Sequence, residues 1–189
     1  MGFYEVYPSV DINYYQMRLS LFLGKYFEGI YYHDPKTQTI RIFLRTEANA
    51  NTLRQFFSVK ETSEDELPVP RYVAEVMLKT ESDFYAPIRY HDLSSFVLEL
   101  PEGCQVRIWL VYDETILRAL RWKLESTGSG NKRLNTPQQV ASSMIKGPIY
   151  LVKIYLMCDK RSQIEAMVNK LANFVVPLSG VLAYKLVKV

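Results

Sequence analysis

Several features that mark common protein classes are scarce or absent in this sequence of 189 residues. Its two cysteines are too few for a disulfide scaffold or a zinc site of four cysteines, and its two histidines are too few for a histidine-rich metal centre. No apolar run reaches the roughly 18–20 residues that a membrane-spanning helix requires. The first residues lack the basic and apolar regions of a signal peptide. We therefore expect an intracellular protein without an integral membrane segment, located in the cytoplasm, with peripheral attachment to a membrane as an alternative.

The sequence also lacks the loops that usually bind nucleotides or carry a nucleophile. The dipeptide Gly24-Lys25 is followed by a tyrosine, so it does not form a G-x-x-x-x-G-K-[ST] motif. Neither G-x-G-x-x-G nor G-x-S-x-G occurs. Cys104 and Cys158 have no histidine close in sequence, and we expect both to be buried, unreactive free thiols. The sequence therefore predicts a protein that is not an enzyme, with no catalytic residue, no metal ligand and no cofactor.

The composition is that of a globular protein rich in tyrosine. Hydrophobic residues make up 48% of the chain and charged residues 23%, which excludes a wholly disordered protein. The 14 tyrosines suit half-buried sheets and contact surfaces. They are equally compatible with an ordinary core, because tyrosine has a high strand propensity. The net charge of +3 is too small to identify a nucleic-acid-binding protein by itself.

Hydrophobic periodicity predicts the same order of elements twice along the chain. In the first half we expect strands at 3–7, 27–33, 39–45 and 58–62, with one helix capped by Asp11 and another capped by Asn49 or Asn51. In the second half we expect strands at 71–80, 105–112, 148–157 and 181–189, with helices after Asp92, at 116–124 and at 162–175. The run at 148–157 is almost continuously apolar, which predicts a strand buried on both faces. Ser162 to Glu165 matches a capping box.

This repeated order predicts an α+β protein of two tandem ferredoxin-like (βαββαβ) units, each an antiparallel sheet with helices on one face. The first unit is expected at 1–62 and the second at 71–189, with a basic helix–loop excursion at 114–147. The acidic, proline-containing stretch at 63–70 is the predicted linker. A single larger mixed sheet is compatible with the same element order.

Basic residues cluster in the excursion of the second half. We predict a nucleic-acid-binding patch made of Arg118, Arg121, Trp122, Lys123, Lys132, Arg133 and Lys146. Cations on a helix and the following loop can follow a phosphate backbone, and an aromatic ring among them can stack on a base. The alternative is an ordinary solvated helix face with a connecting loop.

The second half resembles the N-terminal, pre-motor region of conjugation and type IV secretion ATPases, especially their archaeal DNA-translocase relatives. The segments that carry the resemblance are 75–79, 83–88, 106–111 with the basic excursion after it, 152–156, and a helix from Ser162 that bears Ala166, Leu171 and Phe174. In element order the resemblance extends over residues 3–189. The ATPase domain of that family would follow this region, so the resemblance implies an excised or stand-alone assembly domain. Such a domain would bind a protein of a secretion, conjugation or translocase assembly, with DNA or RNA as a further ligand and a homo-oligomer as one arrangement.

A second resemblance is to the CRISPR repeat-RNA endonucleases, which are also tandem ferredoxin-like proteins. It implies that Tyr32, His33 and Lys36 act as acid–base and phosphate-binding groups. The C-terminal glycine-rich loop of that family has no clear counterpart, since only Gly180 lies in the corresponding segment. The alternative function is therefore a nucleic-acid-binding protein or an RNA-processing nuclease, and either would use the basic patch between Arg118 and Lys146.

Overall fold

The structure, a computed structural model, describes residues 1–8, 25–79, 88–90, 94–112, 114–115, 118–119, 121–122, 125, 150–177 and 181–189. Its strands are β1 (Gly2–Pro8), β2 (Tyr26–Asp34), β3 (Thr39–Thr46), β4 (Phe57–Glu61), β5 (Tyr72–Lys79), β6 (Ile88–Tyr90), β7 (Gln105–Tyr112), β8 (Tyr150–Cys158), β9 (Val175–Pro177) and β10 (Val181–Lys188). The helices whose bounds are described are α1 (Ala50–Leu53), α2 (Ser94–Leu98) and α3 (Arg161–Leu171), and one 3-10 turn spans Glu64–Glu66. The described chain is thus a mixed α/β protein.

Eight of these strands form one antiparallel sheet in the order β10-β5-β8-β7-β2-β3-β1-β4. The two halves of the chain meet where β2 pairs with β7, from Tyr26 opposite Val111 to Tyr32 opposite Gln105. β6 and β9 form a separate two-stranded sheet. The eight strands of the large sheet begin and end within two residues of their predicted bounds, because alternating side chains mark a strand locally. The small sheet was not predicted.

One face of the large sheet carries two hydrophobic clusters. The larger cluster joins Ala74, Ile154 and Leu156 of the sheet to residues of α2 and α3, and it includes Phe96 and Met167. The smaller cluster forms around β1, β3 and α1. Asn49 caps α1 as predicted, since its side chain accepts a hydrogen bond from the Thr52 amide at 2.9 Å. The predicted helices after Asp11 and at Asp92 begin outside the described residues.

Strand β8 corrects one sequence-based prediction. Ile154, Leu156 and Cys158 are buried, whereas Lys153, Tyr155 and Met157 between them are only half-buried. From Lys153 to Cys158 the strand therefore buries one face and not both. The continuous apolar run was misleading because tyrosine and methionine also occupy half-exposed sheet positions.

Helix α3 corrects two further predictions. It begins at Arg161 with Lys160 as the N-cap, and no side chain caps it, so the Ser162–Glu165 capping box does not form. Glu165 instead accepts a hydrogen bond from Arg161 at 2.8 Å. The helix predicted at 162–175 carries an apolar stripe of Ile164, Met167, Val168 and Leu171, and all four are buried. Val175, predicted as the end of this helix, lies in β9 because the helix has already ended.

The two cysteines form a disulfide, so the prediction of free thiols is wrong. Cys104 precedes β7 and Cys158 ends β8, and their Cα atoms lie 4.5 Å apart. Both residues are fully buried, as expected. The neighbouring pair Gln105–Met157 shows that β7–β8 pairing places the cysteines opposite each other. They are 54 residues apart in sequence, and no local pattern could show this proximity.

The second face of the sheet is partly covered by the segment 62–70, which we call the strap. Its Leu67 is buried against Ile30, Tyr32 and Phe43. The backbone carbonyl of Pro68 accepts a hydrogen bond from the Gln105 side chain at 2.8 Å. The stretch predicted as a linker therefore packs across the β2–β7 junction.

Candidate interaction surface

An ion-pair network fixes the strap to the sheet. Arg41 donates two hydrogen bonds to the buried Glu5, at 2.7 and 3.0 Å, and a third to Glu66 of the strap at 2.9 Å. Arg45 and Arg107 both pair with Glu64 of the strap. Guanidinium groups suit this role because their planar donors can bind several carboxylates at once.

Glu28 lies beneath the strap at the centre of this network and is fully buried. Its carboxylate lies 3.4 Å from Arg45 and 3.5 Å from Arg107. The indole Nε1 of Trp109 donates a hydrogen bond to it at 2.7 Å. A buried carboxylate is tolerated only when charges and hydrogen bonds compensate its lost hydration. These residues are therefore mutually satisfied and hold the two halves of the sheet together.

The network shifts the pKa of several carboxyl groups. Hydrogen bonds from Arg41 lower the pKa of Glu5, although burial opposes the shift. Burial also opposes the shift at Glu64, but Arg107 and Arg45 prevail and lower its pKa. The hydroxyl of Thr62 and then Arg41 lower the pKa of Glu66. In each case the carboxylate form is favoured in the folded protein.

These shifts predict that the protein loses stability in acid. A carboxyl whose pKa is lower when folded binds its proton first in the unfolded chain, so the free energy of unfolding falls as the pH drops below about 4.5. At pH 7 we expect Glu5→Gln to have a lower free energy of unfolding than the wild type. Between about pH 5 and 3, roughly the range in which such a carboxyl titrates, the free energy of unfolding of the variant should fall less steeply. Urea denaturation at each pH measures both effects. Glu102→Gln, an exposed carboxyl in the turn before β7, is the matched control, and an identical pH profile for the two variants would contradict the prediction.

The remainder of this sheet face, over β5, β8 and β10, contributes no residue to the three hydrophobic clusters found among the described residues. We call it the open face. Its side chains are Val73, Glu75, Met77, Lys153, Tyr155, Met157, Ala183, Lys185 and Val187. All are half-buried or exposed, with Met77 37% and Val187 47% exposed. A partly apolar sheet face of this kind is a candidate contact surface.

A row of three aromatic rings forms the boundary between the network and the open face. Tyr26 of β2, Trp109 of β7 and Tyr155 of β8 lie on neighbouring strands. The ring centroids of Tyr26 and Trp109 are 6.1 Å apart, and those of Trp109 and Tyr155 are 5.1 Å apart. We call these residues the aromatic row. The row was not predicted, because its members come from distant parts of the chain. The alternation of β7 indicated only that Trp109 lies on the face opposite Val106, Ile108 and Leu110.

Three residues of the predicted basic patch are described. The described residues between 114 and 125 are helical, and Arg118, Arg121 and Trp122 are exposed among them. Arg118 pairs with Glu114 at 3.0 Å. Trp122 is 71% exposed, which is unusual for tryptophan. The other predicted members, Lys123, Lys132, Arg133 and Lys146, lie outside the described residues.

The structure does not bring together the three residues of the nuclease resemblance. Tyr32 and His33 are consecutive in β2 and therefore point to opposite faces of the sheet. Tyr32 packs in the cluster beneath the strap, whereas His33 Nδ1 is hydrogen-bonded to the carbonyl of Leu100. Lys36 lies in the exposed hairpin turn, where its amide donates to Asp34 at 2.9 Å.

Comparison with family models, with curated proteins and with solved structures finds no match. Among the described residues, no helix is long and apolar enough to cross a membrane. Within the same residues, no group of three or more His, Cys, Asp or Glu side chains is arranged to hold a metal ion. The geometry itself is therefore the basis for a proposal about function.

Proposed function

We propose that this protein is a non-enzymatic assembly and interaction domain of a DNA-translocation or conjugation system related to type IV secretion. The observation that carries the proposal is the division of one sheet face into two parts. The strap and its ion pairs cover one part, and the open face leaves Met77, Tyr155 and Val187 accessible on the other. A rigid sheet with a partly apolar accessible face suits binding to another molecule.

The strand order supports the finer fold proposal of two ferredoxin-like units. The four large-sheet strands of the first half are β1, β2, β3 and β4, and those of the second half are β5, β7, β8 and β10. Numbered one to four in chain order, the strands of each half lie in the sheet in the order 4-1-3-2. Every pairing in both halves is antiparallel. This is the order expected of a split β-α-β unit. The relation to pre-motor regions of translocase ATPases, and the division at 63–70, remain predictions.

The location of the protein also remains a prediction. A buried disulfide is unusual in a reducing cytoplasm, except in hyperthermophilic archaea and bacteria. A cytoplasmic protein with this disulfide therefore fits a thermophilic host. Homo-oligomer formation likewise remains a prediction.

The role in DNA transfer predicts that a charge on the open face impairs transfer without unfolding the protein. We expect Met77→Glu, introduced into the native gene, to lower the frequency of DNA transfer at least about fivefold, which corresponds to the loss of about 1 kcal/mol at a central interface residue. The melting temperature of the purified variant should change little. Val69→Glu is the control, since Val69 lies on the strap and is 81% exposed. Equal transfer by both variants, or ATP hydrolysis by the pure chain, would contradict the proposal.

A second function, nucleic-acid binding, is favoured by the exposed Trp122 beside Arg118 and Arg121. These positions are spaced so that they share one side of a helix. The separation of Tyr32 and His33 gives no support to an RNA-processing nuclease.

A further inference from the structure

The aromatic row is held in place before any ligand binds. Planes of neighbouring rings are inclined by 64° between Tyr26 and Trp109 and by 55° between Trp109 and Tyr155. The hydrogen bond from Trp109 to the buried Glu28 fixes the indole. All three residues are half-buried, so each ring remains partly accessible. Binding to such preorganised rings loses little side-chain entropy.

Two cations share the sheet face of the aromatic row. Lys153 is directly opposite Trp109 in the β7–β8 register. Lys185 on β10 is opposite Glu75, the one accessible carboxylate among the described open-face residues. The carboxylate of Glu28 lies beneath the row and is paired with two arginines. The surface therefore combines exposed ring area with a small excess of positive charge.

The helical residues after β7 add further aromatic and cationic side chains. β7 carries Trp109 and ends at Tyr112, and the exposed Arg118 and Trp122 follow within ten residues. The Arg118–Glu114 pair is solvent-exposed, so it contributes little to stability. A phosphate can therefore take the place of Glu114 as the partner of Arg118. A strand that supplies the central ring thus leads into further aromatic and cationic groups.

These features distinguish between classes of ligand. The apolar open-face side chains are divided by Glu75, Lys153 and Lys185, unlike the continuous apolar core of a stable protein interface. Aromatic rings on a sheet face cannot stack on bases that are paired inside a duplex. Unpaired bases, by contrast, stack on aromatic side chains of a sheet while neighbouring cations bind the phosphates.

We propose that the aromatic row, with Lys153 beside it, is a stacking site for single-stranded nucleic acid. This inference rests on the proposed interaction role of the open face and names the partner of that face. Tyr155 supplies an accessible ring next to β5, and Lys153 supplies a phosphate contact. Trp109 links the site to the buried network.

The test is a fluorescence-anisotropy titration of the full chain with one labelled sequence as single-stranded DNA, single-stranded RNA and duplex DNA, at two salt concentrations. We expect single strands to bind more tightly than the duplex. Tyr155→Leu should raise the Kd about 5- to 150-fold, and Tyr155→Phe should retain the wild-type affinity, because the lost interaction is stacking. Lys153→Gln should reduce the slope of log K against log salt by about 0.7, the contribution of one phosphate contact on a single strand.

Tyr184→Ala is the matched control, because Tyr184 is an exposed tyrosine whose partner Val76 lies on the opposite face of the sheet. No binding at low salt, equal binding of duplex, or unchanged affinity in both Tyr155→Leu and Lys153→Gln would overturn the stacking site. Loss of binding in Arg118→Ala/Arg121→Ala alone would assign binding to the basic patch instead. Cleavage of the oligonucleotide during the titration would contradict the non-enzymatic role itself, so the two proposals fail in different ways.

Discussion

Replacing Cys104 and Cys158 together by alanine should lower the free energy of unfolding by about 4 kcal/mol. The disulfide closes a loop of 54 residues, and the chain-entropy relation gives this value for a loop of that length. The bond also ties β7 to β8 at the end of their ladder, beside Met167 of α3, whose sulfur lies 3.4 Å from that of Cys158. Guanidinium chloride denaturation of the oxidised wild type and of the double variant measures the difference.

The wild type refolded with a strong reductant provides the control for this experiment, because its sequence is unchanged. We expect its denaturation midpoint to lie close to that of the double alanine variant. Coincident midpoints for the oxidised and reduced wild type would contradict the stabilising role of the disulfide. A variant that fails to fold at all leaves the comparison of oxidised and reduced wild type as the decisive measurement.

Removing both arginine partners of Glu28 should lower the free energy of unfolding by a similar amount. In Arg45→Met/Arg107→Met, the fully buried Glu28 keeps its hydrogen bond from Trp109 but loses its compensating charges. Breaking a buried ion pair while leaving one charge behind typically destabilises a protein by about 3–5 kcal/mol. We expect a loss in this range by urea denaturation at pH 7.

Adding Glu28→Gln to this double variant tests whether the uncompensated charge of Glu28 causes the loss of stability. A neutral amide can still accept the hydrogen bond from Trp109, and it removes the uncompensated charge, so most of the lost stability should return. Arg118→Met is the control for removing an arginine, because its pair with Glu114 is exposed and contributes at most about 1 kcal/mol. Equal effects of the exposed and buried substitutions, or no recovery with Glu28→Gln, would show that the network does not hold the sheet as we infer.

The accuracy of the sequence-based predictions depended on how local the relevant information is. β7 was predicted with its observed bounds, because Val106, Ile108, Leu110 and Tyr112 alternate with residues of the other face. The alternation of Ile40, Ile42 and Leu44 with Arg41 and Arg45 likewise gave the faces of β3. The capping box failed because its pattern spans only four residues, and the helix started two residues earlier than an N-cap at Ser162 requires.

The candidate surface was largely beyond the reach of sequence reasoning. The basic patch was visible because its members are close in the chain, and Trp122 and two arginines of it are exposed. The aromatic row, by contrast, joins residues 26, 109 and 155, which meet only through the β2–β7 and β7–β8 registers. A repeating pattern fixes which face a side chain occupies, but it does not fix which strand lies beside it.

By itself, then, the sequence determined the eight strands of the large sheet and the buried stripe of α3, and it limited the cap of α1 to Asn49 or Asn51, since each depends on side chains a few residues apart. The tertiary structure alone decided that β2 pairs with β7, that Cys104 meets Cys158, and that the acidic stretch at 63–70 packs on the sheet. These contacts join segments tens of residues apart. Their stability comes from burial and from the compensation of charge in the folded chain, which no local pattern encodes.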